Sequence, residues 1–297
     1  MHRAATPARS SRSPIPSDTA STSATILSEH PIAARWRSLR EEAGRGKPRA
    51  ALIPYLTAGY PTPELSREAL QLVAAAGADF VEVGVPFSDP LADGPTIQRS
   101  IQAALEQGMT VPRVLELIAR ARLPVPVVVM TYLNPVLAYG LERFLEDAHG
   151  AGASGLLLTD LPAGADPQLE ARVAASPLAL IRLIAPTTTA ERLTRAVRSA
   201  TGFLYLISRL GVTGKRDEVP QDLPSHVARV RAASDLPLAV GFGISTPTQA
   251  QAAAQLADGV VVGSALVETL GSGGLAAVEQ LVRALAAAVR ALRAPAA

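Results

Sequence analysis

Glu82 lies in the apolar run Phe80-Val81-Glu82-Val83-Gly84, where composition alone would not place a carboxylate. Strand side chains alternate between faces, so Glu82 points away from the side shared by Val81, Val83 and Val85. Facing the inside of a closed barrel, the ionised form loses water and its pKa rises toward the range where a carboxyl both gives and takes protons near neutrality. Asp89 and Asp93 follow in the loop that Pro86 and Pro90 impose on the strand's carboxyl end. A buried Glu facing a loop Asp gives two carboxylates in unlike environments, the arrangement that separates an acid from a base. The competing interpretation makes Glu82 a tolerated edge charge and the two aspartates solvated loop residues.

A second chemical feature sits near the other end of the chain. Gly211-Val212-Thr213-Gly214, Gly241-Phe242-Gly243-Ile244-Ser245 and Gly263-Ser264 each follow a short apolar run. Glycine lets backbone N–H groups approach an anion, and a helix beginning there adds the positive end of its dipole, so a phosphate can be held without Lys or Arg. Plain turn chemistry is the alternative, since glycine ends strands and helices everywhere. Three such turns at neighbouring strand ends favour the phosphate.

The remaining inventory narrows the chemistry. Lys47 and Lys215 are the only lysines and neither projects from a strand, which argues against a Schiff base. His2, His30, His149 and His226 are not spaced as metal ligands, and the absence of Cys excludes disulfides and thiolate chemistry. Tyr55, Leu157, Tyr205 and Phe242 can line an apolar pocket. Carboxylate proton transfer on a phosphorylated substrate is what remains, and isomerisation and carbon–carbon cleavage both fit.

The elements that must position these groups repeat along the chain. Strands are predicted at Ala51 to Leu56, Phe80 to Gly84, Val125 to Met130, Gly155 to Thr159, Ala179 to Ile184, Gly202 to Ile207, Leu238 to Gly241 and Gly259 to Val262. Each is followed by an amphipathic helix, the first opening with Thr62 as N-cap and Pro63 behind it, with Leu65, Ala69, Leu72 and Val73 on its apolar face. An extra helix, Val111 to Ala121, precedes the third strand, and the last helix is expected from Leu275 to Arg293. Eight short apolar strands covered by helices close into a (β/α)8 TIM barrel, whose working face is built from the loops after the strands. An open doubly wound sheet is disfavoured because no Gly-x-Gly-x-x-Gly follows the first strand.

Residues 1–30 are Ser-, Thr-, Arg- and Pro-rich without a periodic apolar face, which predicts a disordered tail before a single domain over residues 31–297. A transit peptide, an over-long start and a flexible tail all fit that composition. An additional N-terminal helix, with Ile32, Trp36 and Leu39 on one side, precedes the first strand and suits a cap on one barrel end. Hydrophobic residues make up 48% and aromatics 4%, so the core is built from Ala, Leu and Val. The net charge of +2 comes from scattered Arg rather than a basic block, so nucleic acid is not implied. No apolar run is read as approaching the roughly 18 residues needed to span a bilayer.

Pro54-Tyr55-Leu56-Thr57-Ala58-Gly59, the stretch from Glu82 to Pro95, Met130-Thr131-Tyr132-Leu133-Asn134-Pro135, Ser208-Arg209-Leu210-Gly211-Val212-Thr213-Gly214 and Gly241-Phe242-Gly243-Ile244-Ser245 together resemble the tryptophan synthase alpha chain family, in order from about Ile32 to the end. The resemblance implies cofactor-free retro-aldol cleavage of indole-3-glycerol phosphate to indole and glyceraldehyde 3-phosphate. It implies Glu82 as the acid/base at the glycerol hydroxyl, Asp93 as the group holding the indole N–H, and Thr213 on a closing loop as the residue orienting Asp93. It further implies Tyr55, Leu157, Tyr205 and Phe242 around the ring, and Gly214, Gly243, Gly263 and Ser264 at the phosphate. A pyridoxal-phosphate beta chain as partner in an alpha2-beta2 heterotetramer, and a cytoplasmic location, are implied too. A stand-alone lyase and a non-catalytic activator of a beta chain are the alternatives.

Overall fold

The computed structural model describes residues 29–45, 49–207, 220–241 and 243–291. Nearly all of the expected tail, and the roles expected of Thr213, Gly214 and Phe242, lie outside the described residues. Eight parallel strands close in sequence order: β1 (Ala51–Thr57), β2 (Val81–Gly84), β3 (Val127–Thr131), β4 (Ala153–Leu158), β5 (Ala179–Ile184), β6 (Leu204–Ile207), β7 (Leu238–Gly241) and β8 (Gly259–Val262). The last strand returns to the first, with Ala51 beside Gly259 and Pro54 beside Val262.

The helices are α1 (Pro31–Gly44), α2 (Pro63–Ala75), α3 (Pro95–Glu106), α4 (Val111–Ala121), α5 (Leu133–Tyr139), α6 (Leu141–Gly150), α7 (Pro167–Ala174), α8 (Ala190–Ser199), α9 (Leu223–Arg231), α10 (Pro247–Ala254) and α11 (Ser264–Arg290). Thr62 caps α2 by accepting from the Leu65 N–H, as the sequence predicts. Leu65 itself is exposed, because the buried stripe runs through Ser66, Ala69, Leu70 and Val73 instead.

Strand alternation sorts the apolar side chains into two layers. Val81, Val83 and Val85 join the layer between the sheet and the outer helices. Ile53, Val128, Leu157, Ile181, Tyr205, Ala239 and Val261 fill the barrel interior. Helix α1 closes the amino-terminal end of this interior with buried Ile32, Trp36 and Leu39. Trp36 packs on Phe80 and Phe203 with ring centroids 4.8 and 5.7 Å away. Fully buried Asp79 fastens that end, accepting from Arg35, from Arg49 at 2.9 Å and from the Leu52 N–H at 2.9 Å.

The final helix departs from expectation. Two helical segments meet in it: one that the sequence reading lacks runs from Ser264, and after Gly274, whose φ of 67° and ψ of −166° interrupt the helical backbone, the expected helix follows from Leu275 to Arg290. By length and mean hydropathy α11 is also apolar enough to cross a bilayer, contrary to the reading that no segment comes close. Its Leu266, Val267, Leu270, Val278, Val282, Leu285 and Val289 are buried in the protein.

Candidate active site

Strand β2 carries Glu82 into the barrel interior, in register with Tyr55 on β1 and Val128 on β3. The residue is 3% exposed. Its pKa is pushed up to about 8, first by burial and then by the nearby charge of Asp93. Both influences act in one direction, so the carboxyl is poised to exchange a proton at neutral pH.

Asp93 belongs to the loop after β2, which Pro86 and Pro90 keep out of regular structure. It is buried, and its Oδ2 accepts a 2.7 Å hydrogen bond from the Tyr132 hydroxyl. Burial raises its pKa and the Tyr132 bond opposes the rise. Both carboxylates are pushed toward their neutral forms but unequally: burial and the charge of Asp93 act together on Glu82, while the Tyr132 donor offsets part of what burial does to Asp93. Asp89, the other loop carboxylate, is exposed and occupied by the Ser88 hydroxyl at 2.6 Å.

Tyr55 on β1 and Tyr205 on β6 are both near this pair. Burial holds both phenols protonated far above the usual range, and each also feels Glu82 and Asp93, so the four groups share one volume. Glycines make room for the rings. A Cβ on Gly84 would lie 2.1 Å from the Tyr55 hydroxyl, and one on Gly241 would lie 2.3 Å from that of Tyr205. Leu157, fully buried on β4, completes the apolar lining.

The expected anion seat differs among its glycines. Helix α10 opens with a capping box in which Thr246 accepts from the Gln249 N–H, while the Gln249 side chain accepts from the N–H groups of Ser245 and Thr246. Its amino-terminal donors are thus engaged. Gly263 is the N-cap of α11 and has no side chain with which to occupy that helix's first amides, and Ser264 beside it is exposed. Gly243 is exposed with a φ of 78°. The start of α11 after β8 carries no side-chain cap, a feature compatible with an anion, and β1 alone separates β8 from the β2 strand that carries Glu82.

A family profile described as tryptophan synthase alpha chain matches residues 42–296. The chain belongs to the tryptophan synthase alpha chain family. The alpha chain of Geobacter sp. (strain M21) is 49% identical over 239 residues, covering 80% of this chain and 88% of the relative. That of Acidiphilium cryptum (strain JF-5) is 45% identical over 272 residues, covering 87% and 97%. Among solved structures, tryptophan synthase of Mycobacterium tuberculosis in space group F222 superimposes with a TM-score of 0.81 at 43% identity, covering 87% of this chain and 98% of that one. The tryptophan synthase subunit alpha of Legionella pneumophila str. Paris gives 0.78 at 35% identity, covering 88% and 98%.

In this alpha-chain barrel, Glu82, Asp93, Tyr55 and Tyr205 lie close enough to influence one another, Leu157 packs in the same interior cluster as Tyr205, and Gly263 and Ser264 stand at a helix start. Tyr132 has no role in the sequence reading, although it touches Asp93 directly. Its one signal is its position, one residue past the end of β3 within a stretch that carries the family resemblance.

Proposed function

We propose that this member of the alpha-chain family cleaves indole-3-glycerol phosphate to indole and glyceraldehyde 3-phosphate without a cofactor, with Glu82 and Asp93 dividing the proton transfers. The observation that carries this reading is the interior Glu82 with a pKa of about 8 beside an Asp93 held by a hydrogen bond. In its neutral form Glu82 gives a proton to C3 of the indole ring while Asp93 takes the ring N–H, producing the indolenine. The bond from C3 to the glycerol chain then breaks toward the ring. Glu82, now a carboxylate, takes the proton of the adjacent hydroxyl, which becomes the aldehyde, and the ring nitrogen recovers its proton from Asp93.

Tyr55, Leu157 and Tyr205, together with Phe242, would enclose the ring and exclude water. Gly214, Gly243, Gly263 and Ser264 would bind the phosphate, and Thr213 would orient Asp93 on loop closure. The beta chain is the proposed partner, in an alpha2-beta2 assembly. In support, Leu91 in the loop after β2 is 92% exposed and Leu137 on α5 is 51% exposed, and both lie on segments that follow strand carboxyl ends beside the site.

The test is incubation of the purified chain with indole-3-glycerol phosphate, alone and mixed with a beta chain, reading indole release and association. Indole from the chain alone, increased by the partner, is expected. No indole above background in either mixture would sink the reading.

A further inference from the structure

Resting on the cleavage reading above, we infer that Tyr132 is a positioning residue for the reaction: its hydroxyl fixes the Asp93 carboxylate to the end of β3 and keeps that carboxylate able to accept the ring N–H. The hydroxyl makes two directed bonds at once. It donates to Asp93 Oδ2 at 2.7 Å and accepts from the Ala92 N–H at 3.0 Å, so its proton is committed to the carboxylate. A phenol kept protonated by burial and by Asp93 cannot become a competing base. Its ring also packs on Phe87 of the same loop, with centroids 5.2 Å apart. One side chain from the end of β3 therefore touches the β2 loop at Phe87, Ala92 and Asp93.

The anchor is itself anchored. Immediately after Tyr132, the Leu133 N–H donates to Asp160 Oδ1 at 2.7 Å, and the Thr159 N–H donates to the Thr131 carbonyl at 3.0 Å. The start of α5 is thereby tied to the loop after β4. Tyr132 itself is buried, so the placement of its hydroxyl is set by rigid surroundings rather than by solvent.

The electrostatic consequence is specific. Asp93 shares its volume with Glu82 from β2, Tyr55 from β1, Tyr205 from β6 and Tyr132 from the end of β3. Burial favours protonation of Asp93 and sets the net direction of its shift. Among these neighbours Tyr132 is the one that donates a hydrogen bond to Asp93, and so the one that opposes protonation. Without it both carboxylates would drift toward the neutral form and the division of roles would narrow.

The test is Tyr132→Phe in the full chain, which removes one oxygen and keeps the ring against Phe87. The measurements are kcat and KM for indole release across pH 5 to 9, with Tm recorded for each protein. Loss of a hydrogen bond to a charged group predicts a fall in kcat of about 10- to 100-fold with KM changed by less than about threefold. The acid limb of the kcat profile should move to higher pH, because Asp93 then protonates more readily. An acid limb that stays where wild type has it overturns the inference whatever kcat does, as does a joint collapse of kcat, KM and Tm, which is the mark of lost packing. A wild-type chain that releases no indole would instead strike the cleavage reading itself, so the two failures are separable.

Discussion

Replacing Glu82 by glutamine is expected to abolish cleavage and to stabilise the protein by an amount that depends on pH. The carboxyl titrates at 4.5 in its ordinary state and at about 8 in the barrel. Between those values the folded chain holds a proton that the unfolded chain has released, so stability is greatest below about 4.5 and declines as pH rises through 8. At pH 7 the gap of roughly 2.5 pH units, at about 1.4 kcal/mol each, costs the wild type about 3 kcal/mol relative to a side chain that does not titrate. Glutamine keeps the shape and escapes that cost. Urea unfolding of both proteins at pH 5, 7 and 9 is the assay, run beside indole release and binding of a non-cleavable indole-alkyl phosphate. The variant should match the wild type near pH 5, exceed it by about 3 kcal/mol at pH 7 and by more at pH 9, bind the phosphate ligand within a few fold, and produce no indole. Stability differences that are flat across the three pH values would refute the claim that burial inside the barrel sets the proton affinity of Glu82. Equal loss of binding and turnover would refute its role in proton transfer.

Asp93→Asn should retain the fold and lose most of its turnover, because the amide cannot take the ring proton; wild-type kcat in that variant would detach Asp93 from the mechanism. Gly84→Ala should raise KM and lower the urea midpoint by an amount equivalent to about 1–3 kcal/mol, since the new methyl group meets the Tyr55 hydroxyl at 2.1 Å; an unchanged KM would mean that this ring does not shape the pocket. Buried Arg182 on β5 pairs with Glu170 of α7 and donates to the Leu161 carbonyl at 3.1 Å, while Glu170 also accepts from the Gly164 N–H at 2.6 Å. Glu170→Gln should therefore cost about 3–5 kcal/mol in urea unfolding, and adding Arg182→Met should recover much of it; strictly additive losses would deny that the charges compensate each other.

Much of the barrel is legible in the chain because its signals are local. Short Val- and Leu-rich runs ending in Gly, Thr or Pro mark the strands, and alternation within β2 alone is sufficient to send Glu82 inward. The boundaries slip where apolar residues flank a strand without pairing in it, as at Val125 and Gly202, which precede β3 and β6. Helix α5 escapes a sequence reading because Asn134-Pro135 looks like a turn, whereas Pro at an early helical position needs no N–H partner. The glycines up to Gly274 mark a real interruption, since its φ of 67° and ψ of −166° separate two helical segments of α11; the segment from Ser264 escapes a sequence reading because it starts directly on the Gly263-Ser264 turn. Tyr132 is illegible for a different reason: its partners, Ala92 and Asp93, lie about forty positions away, and no spacing rule joins a residue just past β3 to a loop after β2. The open helix start at Ser264 is legible as a glycine turn, but its contrast with the capped start of α10 needs the Gln249 side chain in place.

With Ile32, Trp36 and Leu39 packed beneath it, the interior that holds Glu82 is closed at the amino-terminal end of the barrel. Whatever is made there must climb out past the same rim by which the substrate came in, beside the bare side chain of Leu91. A second protein seated over that rim would therefore govern arrival and departure together.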